Sequence, residues 1–387
     1  MIYLDNAATT KMKSEIAETM KNYYDIDFAN PSGLYEAAFA NQRKMDEGRE
    51  VIAGMLNCDR EEIYFTSGGT ESDNWALKGV ANALKNKGNH IITTKIEHHA
   101  ILHTCEYLEK EGFEVTYVGV DGNGMIRIDE LVKAIRTDTI LISVMAANNE
   151  IGTLQPIDVI GKIAKKKKIL FHTDAVQAFG HILIDVKKCN IDLLSGSSHK
   201  FGGPKGCGFL YINKFAKIEP FMHGGSQERR MRAGTGNVPG VVGMMEAAKD
   251  SNLHLYERMA YEIRLRDYMI NRIYKEIPFC KLNGDRYKRL PNNVNFGFKN
   301  VEGQSIVVLL SENDICASTG SACSSGEKEP SHVLKAMGVN EAYLNGSVRF
   351  TLSHNNTKKE IDYTIMKLKE IVYKLRKKIW QYYYYLI

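Results

Sequence analysis

The stretch Asp192-Leu193-Leu194-Ser195-Gly196-Ser197-Ser198-His199-Lys200-Phe201-Gly202-Gly203-Pro204-Lys205-Gly206-Cys207-Gly208-Phe209-Leu210-Tyr211-Ile212 decides how this chain is read. Two short apolar runs flank a turn rich in Ser and Gly. That pattern predicts two strands, with Lys200 at a strand end. A lysine held among small residues, beside His199, is a candidate amine nucleophile that can form a Schiff base with a carbonyl compound. The plainer reading makes Lys200 and Lys205 two solvated loop lysines. The flanking sequence decides between them.

Working outward, strand-like runs fall at 62–66, 91–94, 115–118, 140–146, 169–173, 193–197 and 208–212. Helical periodicity fills most of the gaps, as at 156–167 and in the shared face of Leu77, Val80, Ala81 and Leu84. This alternation predicts an α/β fold with a mostly parallel sheet covered by helices on both faces. Ligands of such sheets bind at the carboxyl ends of the strands. Polar residues collect there: Thr70, then His98 and His99, then Asn148, Asn149 and Glu150, then Asp174 and Gln177, then Ser197, His199 and Lys200. Each alone reads as a capping or turn residue. Five strand ends carrying such groups on one edge read as a site. The run Thr66-Ser67-Gly68-Gly69-Thr70 joins a strand to a helix N-terminus, the recipe for an anion cradle. Its spacing is not that of a nucleoside-triphosphate loop.

A length of 387 residues suggests two or three domains, and 44% apolar with 25% charged residues describes an ordinary globular protein. The net charge of +5 calls for neither nucleic acid nor an anionic membrane as partner. No leader-like segment opens the chain and no apolar run reaches membrane-span length, so a cytoplasmic protein is expected. Seven cysteines without paired spacing predict free thiols.

Helices are expected over 14–24 and 34–56. A Gly- and Arg-rich loop from about 221 to 240 is long enough to suggest function or an interface. A single helix from about 241 to 277 is expected to bridge two domains. Beyond Pro278 the pattern turns α+β, with strands at 294–298 and 315–318, a helix at 303–311 and a terminal helix from 358. Between them lies Thr319-Gly320-Ser321-Ala322-Cys323-Ser324-Ser325-Gly326-Glu327-Lys328, almost free of bulky side chains and expected to be mobile and exposed. Cys323 has no packing reason to be there. In the alternating strand 346–352, Arg349 shares a face with Thr351. It is either solvated or a fork for a carboxylate.

The parts are a lysine amine, an acid at a strand end, an anion cradle, a carboxylate fork and a thiol on a loop. Pyridoxal 5'-phosphate needs the first three, and an amino-acid substrate explains the arginine. The chain resembles the cysteine desulfurases of the NifS/IscS branch, within the class V aminotransferase superfamily of fold-type I enzymes. The resemblance runs from Tyr3-Leu4-Asp5-Asn6-Ala7-Ala8-Thr9-Thr10 to the Arg349 strand. It is most specific in Thr66-Ser67-Gly68-Gly69-Thr70-Glu71-Ser72, Asn148-Asn149-Glu150-Ile151-Gly152, His172-Thr173-Asp174-Ala175-Val176-Gln177, Arg232-Ala233-Gly234-Thr235-Gly236-Asn237 and Ser321-Ala322-Cys323-Ser324-Ser325-Gly326. Tyr35 and Ser198 depart from the family's usual His and Gly.

The resemblance implies a large domain, 13–252, with a mostly parallel seven-stranded sheet flanked by helices. A smaller α+β domain, 1–12 with 253–387, carries the cysteine loop. It implies Lys200 as the Schiff-base lysine and Cα-proton base, Asp174 as partner of the pyridine nitrogen, and Asn149 and Gln177 near the ring hydroxyl. His98 would stack on the ring and move protons. Gly69, Thr70, Ser197 and His199 would hold the phosphate, with Thr235 reaching in from the second subunit of a homodimer. Arg349, with Asn6 and Asn149, would bind the substrate carboxylate. Cys323 would take sulfur from L-cysteine as a persulfide, leaving L-alanine, and pass it to an acceptor protein such as an iron–sulfur cluster scaffold. A free thiol is only a few per cent thiolate at neutral pH, so a nearby base or cation is needed, with His98 the candidate. Selenocysteine lyase and aminotransferase activity are the near alternatives. A zinc hydrolase built on His99 and His103 lacks a Glu in the required place, and no metal is expected. A non-catalytic sulfur carrier is the remaining class.

Overall fold

The computed structural model describes residues 1–320 and 330–385. The strands are β1 Ile2–Tyr3, β2 Ile63–Thr66, β3 His90–Thr94, β4 Glu114–Val118, β5 Thr139–Ser143, β6 Leu170–Asp174, β7 Leu193–Ser197, β8 Gly208–Ile212, β9 Cys280–Leu282, β10 Asn293–Phe298, β11 Ile315–Cys316 and β12 Ser347–Thr351. The helices are α1 Ser14–Asp25, α2 Glu36–Leu56, α3 Gly69–Leu84, α4 His99–Lys110, α5 Ile128–Ala134, α6 Ile157–Lys167, α7 Val238–Leu253, α8 Leu255–Glu276, α9 Gly303–Ser311, α10 His332–Ala336, α11 Glu341–Leu344 and α12 Lys358–Tyr385.

Seven strands form one sheet in the order β2-β8-β7-β6-β5-β3-β4. Only β8 runs against its neighbours, pairing antiparallel with β2 and β7. The other neighbours are parallel. This is the expected α/β architecture. Apolar residues of α1, α2, α6 and α7 pack on one face, with Ile142, Phe171, Leu194 and Phe209 as its floor. Helices α3 and α4 cover the other face through Trp75, Leu77, Val80, Ile101 and Leu108 over Leu141, Leu193 and Leu210.

A second antiparallel sheet, β12-β10-β9, has its own core. Val294, Phe296, Phe298, Val348, Phe350 and Leu352 meet Met269, Ile273, Ile361, Ile365 and Leu368. The first residues of the chain join this unit, because β1 pairs in parallel with β11. No helix among the described residues is long and apolar enough to cross a membrane.

Two expectations are corrected. The single helix over 241–277 is two helices broken at His254, where φ/ψ is −106°/11°. The break lets α7 bury Val241, Met244 and Met245 in the large core while α8 delivers Leu265, Met269 and Ile273 to the other. The strand over 140–146 ends at Ser143, although Val144 N and Ala146 N still donate to His172 O and Asp174 O at 3.1 and 2.8 Å.

The Gly- and Arg-rich loop covers the free edge of β2. Glu228 Oε2 accepts from Phe65 N at 2.9 Å, and Arg229 Nη2 donates to Ile63 O at 2.7 Å. Glu228 is also paired with buried Arg49 at 2.6 Å. To make these contacts Glu228, Arg229 and Arg230 all take left-handed backbone conformations, with φ of 43°, 56° and 68°. Three such non-glycine residues in a row are strained. The gain is an edge closed against further strand pairing.

Candidate active site

Beyond β7 the chain makes one tight turn, Ser198–Lys200, which leaves Lys200 half-buried at the carboxyl edge of the sheet. Its Nζ donates to Ala7 O at 2.7 Å and Ala8 O at 2.9 Å. Gln177 Nε2 donates to the same Ala7 O at 3.0 Å. The N-terminal arm is tied across this edge, since Thr10 N and Oγ1 donate to His199 O at 2.9 and 2.8 Å. His199 Nδ1 lies 3.2 Å from Thr9 Oγ1. The solvated-loop reading therefore fails for Lys200 and holds for Lys205, which is exposed.

Next to this amine lies the turn from β2 into α3. Gly68 has φ +153°, and a Cβ on Gly69 would sit 2.5 Å from Val176 Cγ2 and 3.6 Å from Ser197 Cβ. Glycine is thus the residue that lets the backbone approach the neighbouring strand ends. The first-turn N–H groups of α3 at Gly69 and Thr70 have no acceptor within the helix. They point, with the positive end of a 16-residue helix, toward the edge where Ser197 and His199 stand. Burial and the Lys200 charge push the His199 pKa down to about 4, so it contributes a neutral imidazole.

Asp174 ends β6, buried, with Oδ1 accepting from Val176 N at 2.9 Å. Burial raises its pKa, opposed by the Val176 hydrogen bond and the Lys200 charge. Behind it His172 bridges the strands: Nδ1 is 2.9 Å from Ser143 Oγ and Nε2 is 3.0 Å from Ser195 Oγ. Asp73 of α3 lies 3.7 Å from His172 Nε2. Its pKa is raised by burial and by the nearby Asp174 charge. Two buried carboxyls so placed do not both ionise easily.

His98 caps α4, with Nδ1 accepting from Ala100 N at 3.1 Å. That fixes the tautomer with hydrogen on Nε2. Burial, then the Lys200 charge, lowers its pKa to about 4. His98 is therefore a neutral imidazole at physiological pH, so of the two roles weighed for it, base or cation, the structure leaves no standing positive charge at this position.

Arg349 is not solvated. It is 4% exposed, on the face of β12 opposite the second core. Nη1 donates to Asn149 O at 3.0 Å and Nη2 pairs with Asp5 Oδ1 at 2.8 Å. Among the described residues its buried Nε has no partner, so the fork keeps a donor for another acceptor. Asn6, also buried, donates from Nδ2 to Thr351 O at 2.8 Å.

The structure thus gathers Lys200, Gln177, Asp174, Ser197, His199, Gly69, Thr70, His98, Asn149, Arg349 and Asn6 at one sheet edge. Thr235 is exposed on a loop moored to the cradle by Arg232, whose Nε lies 2.7 Å from Glu71 Oε1. Cys323 lies outside the described residues. His99 and His103 have ring centroids 4.9 Å apart. Among the described residues no group of His, Cys, Asp and Glu is arranged to hold a metal ion. Sequence reasoning missed Asp5 as partner of Arg349, and Asp73 behind Asp174. For Asp5 the signal was the cluster Asp5-Asn6-Ala7-Ala8-Thr9-Thr10. For Asp73, a charged residue on the apolar face of α3 was the available sign.

A lysine set beside a glycine cradle and a buried strand-end aspartate, on a sheet of this order, is the architecture of the fold-type I enzymes. The match to the family Aminotransferase class-V spans residues 2–364, and the chain belongs to it. Within the family it stands with the cysteine desulfurases. Cysteine desulfurase IscS of Methanosarcina thermophila is 54% identical over 375 residues, covering 97% of this chain and 93% of that protein. The IscS of Dictyoglomus turgidum is 51% identical, covering 97% of this chain and 95% of its own length. Among solved structures, a NifS-like protein superposes with a TM-score of 0.91 at 39% identity, covering 97% of this chain and all (100%) of that one. SspA in complex with cysteine gives 0.82 at 36% identity, covering 92% of this chain and 100% of that one.

Proposed function

We propose that this chain is a pyridoxal-phosphate-dependent cysteine desulfurase that converts L-cysteine to L-alanine and carries the sulfur as a persulfide on Cys323. The observation that supports it most is the convergence of the Lys200 amine, buried Asp174, the Gly68–Gly69 cradle and the Arg349 fork on one sheet edge. The donor set fits the cofactor. There is an amine for its aldehyde, a buried carboxylate for its ring nitrogen, and a cradle too tight for any side chain at position 69. Gly69, Thr70, Ser197 and His199 would hold the phosphate, Asn149 and Gln177 the ring hydroxyl, and His98 one face of the ring.

When bound, pyridoxal phosphate supplies an electron sink conjugated to the substrate's Cα. The chain's own groups do the rest. Arg349, with Asn6 and Asn149 beside it, grips the cysteine carboxylate and so aims the Cα–H bond at Lys200. Lys200 takes that proton. The Cys323 thiolate then forms an S–S bond to the substrate sulfur as the Cβ–Sγ bond breaks. The bonding pair stays with carbon, which takes up protons and leaves as alanine. His98, held with its hydrogen on Nε2, offers a donor and no charge to this region. The outgoing sulfur needs an acceptor protein, such as an iron–sulfur cluster scaffold.

Exposed Tyr24, Ile26, Phe28, Leu34, Tyr35 and Phe39 crowd one segment. A second copy of the chain would cover them and could bring its Thr235 to the phosphate. The separate cores support a division into a cofactor-bearing unit, 13–252, and a second unit of 1–12 with 253–387.

The test is incubation with L-cysteine, following alanine and the mass of Cys323. Stoichiometric alanine with a persulfide on Cys323 supports the reading, and absence of alanine ends it. Lys200→Ala should abolish the visible absorbance of the purified protein. Cys323→Ala should abolish sulfur release; an aminotransferase would be indifferent to it.

A further inference from the structure

One acid of the Asn148-Asn149-Glu150-Ile151-Gly152 motif has no task in the chemistry above. Glu150 is 4% exposed. Its Oε2 accepts a hydrogen bond from Ser331 Oγ at 2.5 Å. The same carboxylate packs under Gly320, where a Cβ would lie 3.2 Å from Glu150 Oε2 and 3.6 Å from Glu150 Cβ. Gly320 has φ +84°, so both its backbone angle and the acid beneath it call for glycine. One side chain therefore touches the residue that precedes segment 321–329 and a residue just beyond it.

Both anchor points are fixed in their turn. Gly320 N donates to Ser318 Oγ at 3.2 Å, and Ser318 exchanges backbone hydrogen bonds with Arg349 at 3.1 and 2.6 Å. Ser331 Oγ accepts from Leu334 N at 3.2 Å and so caps α10. Val333 and Leu334 of α10 pack on Ile96, Met145 and Ile151 beside the large sheet. Glu150 is no loose tether either. Its N–H donates to Asn148 Oδ1 at 2.9 Å, and its carbonyl accepts from Asn293 Nδ2 at 3.3 Å and Asn295 Nδ2 at 3.0 Å. The acid thus sits where the large sheet's edge, the second sheet and both ends of the cysteine-bearing segment meet, one residue from Asn149.

We propose that Glu150 is a positioning residue: its carboxylate fixes Gly320 and Ser331 relative to the Arg349 fork, and sulfur transfer to Cys323 depends on that placement while Cα-proton removal does not. The inference rests on the reading of Cys323 as the sulfur acceptor. A near-attack geometry lost by about an ångström costs on the order of 100-fold, whereas Lys200 is held by Ala7 O and Ala8 O and Asp174 by Val176 N, on the other side of the site from the two anchor points.

The experiment compares the cofactor-loaded wild type with E150A, S331A, E150Q and C323A. It measures the visible absorbance, the exchange of the cysteine Cα hydrogen for solvent deuterium, and the rate of persulfide formation on Cys323. E150A and S331A should lower persulfide formation about tenfold or more, with exchange and absorbance within about twofold of wild type. E150Q, which keeps an oxygen for Ser331, should stay within about threefold of wild type. Persulfide formation unchanged in both E150A and S331A overturns the proposal, as does an equal fall in exchange. If E150A does not fold, S331A decides. A wild type that yields no alanine, or a C323A variant that releases sulfur normally, refutes the desulfurase reading itself. The Glu150 proposal alone fails when wild type and C323A behave as expected and the Glu150 and Ser331 variants do not.

Discussion

The two faces of the large sheet are built from the same strands and do different work. Toward α1, α2 and α7 the residues are mainly apolar: Ile63 and Phe65 on β2, Ile142 on β5, Phe171 on β6, Leu194 on β7, Phe209 and Tyr211 on β8, with buried Thr94 and Thr173 at the strand ends of β3 and β6. Toward α3 the central strands β5, β6 and β7 change character along their length. Leu141 gives way to Ser143, Leu170 to His172 and then Asp174, and Leu193 to Ser195 and then Ser197. The amino-terminal half of that face is packed by α3 and α4, and its carboxyl-terminal half is a hydrogen-bonded polar layer under the site. The second sheet repeats the division. Val294, Phe296, Val348 and Phe350 face their own core, while Asn293, Asn295, Ser347 and Arg349 face the large unit. The period of two along a strand thus separates stability from chemistry.

The strongest way to break this comparison is to alter the end of one strand on each face. Asp174→Asn should lower turnover on the order of 100-fold while leaving the melting temperature unchanged or raised, because it removes a buried charge beside Asp73. A loss of fold instead, seen by circular dichroism and thermal melting, would deny the division of labour. On the opposite face, Phe171→Ala should cost about 3–5 kcal/mol of stability, read from denaturant unfolding. The activity per folded molecule should survive at low temperature.

The comparison can be sharpened on the second sheet. Arg349→Lys keeps a cation but loses the planar fork, so KM for L-cysteine should rise roughly 10- to 100-fold. Cofactor absorbance should be untouched, because Arg349 contacts Asp5 and Asn149 and not the cradle. An unchanged KM would remove Arg349 from the substrate site.

What the sequence made legible follows the same line. Alternating strands and helices announced the α/β class, and clustered strand-end polar residues announced the edge that carries the site. The antiparallel direction of β8 came from the structure; the pattern announced two strands joined by a turn and left their relative direction open. The break at His254 was not legible, because both helices are amphipathic and only the position of two separate cores demands the change of direction. Nor were the partners of Lys200 and Arg349. Ala7, Ala8 and Asp5 lie some 190 and 344 positions away in the chain, a separation that local pattern does not encode. Glu228 and Arg229 read as loop charges until the structure placed them on the edge of β2.

The smallest expected effect concerns how the polar layer responds to pH. His172 is fully buried, and burial pushes its pKa down to about 3. An unfolded chain protonates that histidine below about 6.5, while the folded one does not until about pH 3. The unfolded state therefore gains protons first, and stability falls as pH drops from 6.5, by about 2 kcal/mol at pH 5. Raised carboxyls such as Glu97, pushed up to about 8 by burial, act in the opposite sense. They do so in wild type and variant alike, so a difference between the two isolates the histidine. His172→Asn can keep a bond to Ser143 or Ser195 but carries no titrating group. It should be less stable than wild type at pH 7.5, with the gap narrowing by about 2 kcal/mol at pH 5 in denaturant unfolding. A gap that stays constant across that range would mean that the folded protein protonates His172 as readily as the unfolded chain does, and a gap that widens toward pH 5 would mean that His172 is charged in the folded protein at pH 7.5. In that case the layer beneath Asp174 would hold an ion pair with Asp73 instead of two neutral groups.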